Sequence, residues 1–324
     1  MTQPIGPIEV QAPTPSILTT ARDRSRDDFG VSAPVPAGVN LPDGSLPPST
    51  ASWRSGIAWT PATCQPSSSW EDCPAPGTVT DEAAATNGPV KSWPFWIYTP
   101  LTCEWTTDPA EVDRQVAALT EAHTAYRMGR AIWMGDGLQV TVEQPTLRRS
   151  ATDVTPAGGA VDLDDAVALL LGAYEENTGG NGGAVLHIPS IEMTAALGGL
   201  PGGGRIATLE GNFYRGPLGA LVSPGPGYPW GASTEGADGF GPIVANGDGI
   251  DPDYAGTEED ELWVYVTGPV EYALGEIIVT STPPGDISRQ NVHETWANRQ
   301  AIFRFDPCAV WACKALSSVS TGGS

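Results

Sequence analysis

A chain of 324 residues with 40% hydrophobic residues can bury a large core, as one domain or as two. Its formal charge of −22, from 38 acidic and 16 basic residues, disfavours sequence-independent binding to a phosphate backbone, which needs Lys and Arg to displace counterions. No stretch approaches the ~20 apolar residues of a membrane span, and the 39 Gly and 31 Pro predict a turn-rich fold.

The N-terminal sequence MTQPIGPIEVQAPTPS has no basic segment leading into an apolar run, so cytosolic synthesis is expected. Residues 1–52 are rich in Pro, Ser and Thr and cannot build a core of their own. They predict an extended arm, ordered by a neighbouring subunit. Within it, Arg22, Arg24 and Arg26 are candidates for intersubunit or DNA contact, against the plainer reading of a solvated arm.

Residues 53–104 hold two aromatic-rich strand candidates, SWRSGIAWT and SWPFWIYTP, separated by a long polar excursion. That pattern reads as an extended hairpin. An isolated hairpin is marginally stable, so Trp53, Trp59, Trp93 and Trp96 are expected to be covered by another subunit.

One long helix follows. Asp108 suits the N-cap, Pro109 the first helical position, and Glu111 a capping-box spacing. Val112, Val116, Leu119, His123, Tyr126 and Trp133 recur at near-helical intervals and predict the buried stripe. At ~1.5 Å per residue, about 27 residues give a rod of roughly 40 Å. Gly135-Asp136-Gly137 ends it.

A second helix is predicted over 162–177, with Leu163, Val167, Leu170, Leu171 and Tyr174 as its apolar face. Next come a buried-type strand, AVLHIP at 184–189, a short helix from Ser190 and the apolar run 219–223. Residues 230–260 read as an acidic, Gly-rich insertion without periodicity. Strands broken at Gly268-Pro269 follow, and RQAIFRFDPCAVWACKAL closes the chain. The fold class expected is α+β.

Chemistry is sparse. His123 and His187 lie in apolar patterns and read as structural, and His293-Glu294 lacks the second His of a zinc-protease helix. There is no G-x-S-x-G elbow, and GGLPGGGR at 198–205 lacks the P-loop lysine. NGDGIDPD at 246–253 fails the calcium-loop pattern, because Ile250 and Asp251 stand where an oxygen ligand and a Gly are needed. Cys64 and Cys73 flank the hairpin tip and can bridge in an oxidising medium. For a cytosolic chain the expectation is that all five cysteines, Cys103, Cys308 and Cys313 included, stay thiols. If 308–313 is one strand, Cys308 and Cys313 point to opposite faces and cannot pair. No catalytic residue, cofactor or metal ligand is expected.

The order of elements carries more than any single residue. AYRMGRAIWMGDG, DLDDAVALLLGAY, GAVLHIPSIEMTAAL, GPLGALVSPGPGYP, ELWVYVTGPVEYALGEIIVT and RQAIFRFDPCAVWACKAL follow one another as the parts of a known shell subunit do. The chain resembles the tailed-bacteriophage major capsid protein of the Hong Kong 97 (HK97) type over about 100–318. The resemblance implies an N-terminal arm (1–52), an extended hairpin or E-loop (53–104), a P-domain with a long spine helix (105–183 and 299–318) and an A-domain (184–298) carrying the insertion 230–260. Lys91, the hairpin's only lysine, lies near its base, which speaks against the covalent crosslink of some members.

That resemblance implies a non-enzymatic protein of the virion head, assembled in host cytoplasm. Its partners would be itself, as hexamers and pentamers, with portal, scaffold and decoration proteins and packaged double-stranded DNA. An encapsulin-type compartment shell shares the fold and is the alternative. From a different class, a secreted acidic carbohydrate-binding or hydrolase domain would account for the 11 Trp and the acidity.

Overall fold

The structure is a computed structural model, and it describes residues 8–11, 57–60, 90–104, 108–138, 144–178, 183–190, 192, 208–210, 213–236, 238–244, 253–281 and 292–317. In chain order the elements begin with β1 (Ile8–Gln11), β2 (Ile57–Thr60), β3 (Val90–Ser92), β4 (Phe95–Glu104) and helix α1 (Pro109–Met134). Then come α2 (Leu147–Ser150), β5 (Thr152–Asp153), α3 (Leu163–Thr178), β6 (Val185–Pro189), β7 (Thr208–Glu210), β8 (Phe213–Arg215) and β9 (Leu221–Gly225). The last are β10 (Ile243–Val244), β11 (Asp253–Tyr254), β12 (Glu261–Thr267), β13 (Glu271–Ser281), β14 (Val292–Arg304) and β15 (Val310–Leu316).

Two larger sheets organise this mixed α+β fold. A seven-stranded sheet runs β5-β15-β12-β6-β9-β8-β7, and a three-stranded antiparallel sheet runs β13-β14-β4. Near the N-terminus, β1 pairs parallel with β2, and β2 pairs antiparallel with β3.

The period-2 alternation of β12 decides where the cores lie. Leu262, Val264 and Val266 pack on one side with Leu163, Val167, Leu170 and Tyr174 of α3. Trp263 and Tyr265 point the other way, to Trp133 and Ile132 of α1 and Phe303 of β14. β15 divides in the same manner, with Trp311, Cys313 and Ala315 on the first side and Val310 and Ala312 on the second. A strand buried on both faces needs a near-continuous apolar run, and ELWVYVT and VWACKAL are such runs.

Helix α1 starts and stops where its sequence indicates. Asp108 accepts a hydrogen bond from the Ala110 N–H at 3.1 Å, and Gly135 takes the left-handed conformation at φ 85°. Glu111 does not close a capping box; it pairs with Arg114 at 2.7 Å. The buried stripe differs from the expected one. Val112, Val116, Thr120, Thr124, Met128, Ala131, Ile132 and Trp133 are buried, whereas Leu119, His123 and Tyr126 are exposed. The two threonines can be buried because each donates its hydroxyl to the carbonyl four residues back, Val116 for Thr120 and Thr120 for Thr124.

The described part of 230–260 is a packed element. Ser233 and Thr257 bridge antiparallel, and β10 pairs with β11. The Phe240 carbonyl accepts from both Trp133 Nε1 and Tyr265 OH at 2.9 Å. Buried Arg148 of α2 donates to the Gly239 carbonyl at 2.8 Å and lies 3.5 Å over the Tyr254 ring. Burial holds the Arg148 pKa below its usual value, with Tyr254 acting against that. The described part of this segment, which showed no periodicity in the sequence, therefore seats on the C-terminal end of α1 and on β12.

Candidate functional site: the outer face of the three-stranded sheet

The three-stranded sheet has one covered face and one open face. Phe95 and Ile97 of β4, Tyr272 of β13 and Thr295, Ala297, Ala301 and Phe303 of β14 are buried, and the sheet lies against α1. Polar ties fix the helix on it. Asp113 accepts from Ser281 Oγ at 2.6 Å, and Glu121 pairs with Arg299 at 2.6 Å.

On the opposite face Gln300, Ile302 and Arg304 of β14 are buried, whereas at the other end of the sheet side chains meet solvent. Trp96 is 55% exposed, Tyr98 59%, Ile278 51% and Trp296 37%. The register places Tyr98 beside Asn298 and Asn298 beside Ile278, while Trp296 lies between Pro100 and Thr280. Trp96, Tyr98, Trp296 and Asn298 share one open depression, lined also by Pro100, Thr102 and Glu294; Ile278 lies on the neighbouring strand, beside Asn298. Single exposed apolar side chains are ordinary, but a contiguous group on one face marks a surface that meets a partner.

Of the predicted hairpin aromatics, Trp96 lies on this face and Trp93 is half-buried, its backbone N–H held by Gln144 Oε1 at 3.3 Å. Trp59 lies in β2, in a part of the chain whose side chains are outside the described residues, as is Trp53. Arg22, Arg24, Arg26, Cys64, Cys73, the 198–205 segment and most of 246–253 also lie outside the described residues. Tyr98, Ile278 and Trp296 were not singled out in the sequence. Their signal is the strict alternation of FWIYTP and of VHETWA, legible once β4 and β14 are known to pair.

The histidines divide. His123 is exposed on α1 rather than in its core stripe. His293 lies in β14, paired with Cys103 of β4. His187 is buried, and its hydrogen bonds define a directed chain. Thr267 donates its hydroxyl proton to the Gly268 carbonyl, so toward His187 Nε2, 2.8 Å away, it accepts. His187 is then the neutral Nε2–H tautomer, and Tyr228 OH donates to Nδ1 at 2.6 Å while Ser223 donates to the Tyr228 oxygen at 3.3 Å. Burial pushes the His187 pKa down to about 3 and raises that of Tyr228. This chain knits β6, β9 and β12 together inside the protein, consistent with a structural His187.

Cys308 is disulfide-bonded, so the expectation that all five cysteines stay thiols does not hold, whereas Cys313 is a free thiol. Cys308 sits in the turn before β15 rather than in one strand with Cys313. Burial pushes the Cys313 pKa up to about 11, which leaves it protonated and a poor nucleophile. Among the described residues no cluster of three or more His, Cys, Asp or Glu is arranged to hold a metal ion.

No family model matches the chain, and no curated protein matches it. Among solved structures, it is similar to Gordonia phage Cozz, with 15% identity and a TM-score of 0.44 over 78% of this chain and 80% of that one. It is similar to the capsid of the empty GTA particle, with 16% identity and a TM-score of 0.41 over 77% and 80%. It is also similar to the holo-SrpI encapsulin complex from Synechococcus elongatus, with 10% identity and a TM-score of 0.43 over 74% and 80%.

Proposed function

We propose that the chain is a structural shell subunit, the major capsid protein of a tailed bacteriophage of the Hong Kong 97 type. Copies assemble into hexamers and pentamers that close an icosahedral head around double-stranded DNA. The observation that carries the reading is the outer face of the three-stranded sheet, where Trp96, Tyr98, Ile278 and Trp296 are presented to solvent on a rigid platform backed by α1. An apolar face of this kind gains stability when another subunit covers it.

In this reading residues 1–52 are the arm, 53–104 the hairpin, 105–183 with 299–318 the P-domain and 184–298 the A-domain, and α1 is the beam that sets the subunit's length. Arm and hairpin, with Trp53, Trp59, Trp93 and Trp96, reach across neighbours. Arg22, Arg24 and Arg26 meet a neighbour or the DNA. The charge of −22 keeps the shell from trapping the DNA polyanion as it is packaged. Portal, scaffold and decoration proteins are the further partners, and the role is non-enzymatic.

Negative-stain microscopy and light scattering of the purified protein test this. Closed polyhedral particles are expected, and a monodisperse monomer of 33.8 kDa under assembly conditions would refute it. Nuclease-protected DNA in particles recovered from infected cells supports the capsid. Particles that hold only protein assign the chain to a compartment shell instead.

A further inference from the structure

The two edges of the three-stranded sheet are β4 and β13, and among the described residues no strand pairs on the far side of either. The edges differ. β4 carries Pro100, which has no N–H and interrupts any ladder built on that side. β13 has a register shift between Leu274 and Ile277, where Arg299 Nε donates to the Gly275 carbonyl at 2.8 Å. Beyond the shift it runs regularly from Ile277 to Ser281 against β14. Natural edges are protected by Pro, by Lys or other charges, or by bulges. The stretch IIVTS has no Pro and no charge, and its residue types favour strands.

We propose that this edge of β13 pairs antiparallel with the same stretch of a second copy across a two-fold axis, joining two three-stranded sheets into one. The inference rests on the self-assembly proposed above and names one of its contacts. Charge selects the partner. A chain of net charge −22 repels its own copies, and approach costs least where the surface is neutral. Ile277–Ser281 itself carries no charge, the exposed Glu276 and Glu294 lying at the margins of the strip; Trp296 of β14 adjoins it on the open face, and Tyr98 and Trp96 of β4 lie one strand further on.

Register supplies the second reason. Ile278 projects on the open face beside Asn298, one row from Trp296. Pairing two β13 edges brings the Ile278 side chains of both copies near the axis and runs the apolar strip of one sheet into that of the next. Such a contact is isologous and closes on itself. It cannot build a ring of five or six, so it joins rings to one another.

Four proteins decide this: the native chain, Ile278→Lys, Ile278→Glu and Ile278→Thr. Assembly is followed by light scattering and microscopy, with circular dichroism confirming an unchanged fold. Ile278→Thr is expected to assemble as the native chain does. The Lys and Glu variants alone are expected to lose the assembled species, because like charges meet at the axis, and an equimolar mixture of the two is expected to recover it. If the native chain assembles and Ile278→Lys does so equally, or if the mixture fails to recover, the edge pairing is wrong while self-assembly stands. If the native chain stays monomeric, the self-assembly reading fails and the pairing with it.

Discussion

Gly129 of α1 and Gly227 of the turn after β9 meet backbone to backbone. A Cβ on Gly129 would lie 3.2 Å from the Gly227 Cα, and a Cβ on Gly227 would collide with the Tyr126 carbonyl oxygen and lie 2.9 Å from the Arg130 nitrogen. The helix comes this close because neither residue has a side chain, and the approach brings Trp133 to 4.8 Å from the Tyr228 ring. Gly227→Ala is therefore expected to destabilise the protein by about 1–3 kcal/mol, the usual cost of overpacking. Gly129→Ala is a milder case. Removing a mid-helix Gly gains about 1 kcal/mol of helix propensity, which offsets part of the tighter contact. Thermal unfolding of both variants checks the ranking. Equal melting temperatures would show that the turn yields freely.

The buried threonines of α1 give a second prediction. Among the described residues each hydroxyl donates only within its own helix. Thr124→Val keeps the shape and adds apolar burial, and is expected to leave stability unchanged or raised by up to about 1 kcal/mol. Thr124→Ala removes buried volume and is expected to lower it. A urea denaturation series separates the two. A large loss in Thr124→Val would mean that the hydroxyl has a partner beyond the helix.

Those threonines also show why the sequence misled. The helix ends were legible, because Asp108-Pro109 and Gly135 act locally on the backbone. The face of α3 was legible as well, because each predicted apolar position is an aliphatic or aromatic residue facing one core. The face of α1 was not. Its inward positions include Thr120, Thr124 and Gly129, which carry no apolar signal, while outward positions include Leu119 and Tyr126. The open sheet face was half legible. FWIYTP alternates, but which of its faces is covered depends on α1 lying on the Phe95–Ile97 side, a tertiary fact. The packing of 230–260 had no periodic signal, since it works through backbone carbonyls at Gly239 and Phe240.

His187 gives an acid-sensitivity prediction. Its ordinary pKa of 6.5 falls to about 3 in the folded protein because burial disfavours the imidazolium. Below pH 6.5 the unfolded chain takes up a proton that the folded chain does not, so stability falls as the pH drops from about 6.5 toward 3, and this contribution is complete above that window. His187→Gln is expected to be less stable than the native protein at pH 7.5, having lost part of the Tyr228–Thr267 chain, and to show a shallower decline between pH 6.5 and 4. Denaturant midpoints across that range provide the comparison. Parallel declines in the two proteins would place the acid sensitivity elsewhere.

Arg148 tests whether the 230–260 segment is seated as described. Its guanidinium reaches Gly239 of that segment and lies over Tyr254 near its far end, so one side chain spans the segment's base. Arg148→Met keeps much of the stem's packing but leaves the Gly239 carbonyl without its charged donor, at a cost of about 1–3 kcal/mol. Arg148→Ala loses the packing of the stem as well and is expected to cost more. Because the contact is local, the first consequence is release of the segment rather than global unfolding. Limited proteolysis should cut faster between 230 and 260 in Arg148→Ala than in the native protein, with Arg148→Met between them. Equal cleavage rates would mean that Trp133 and Tyr265, both donating to the Phe240 carbonyl, hold the segment without Arg148.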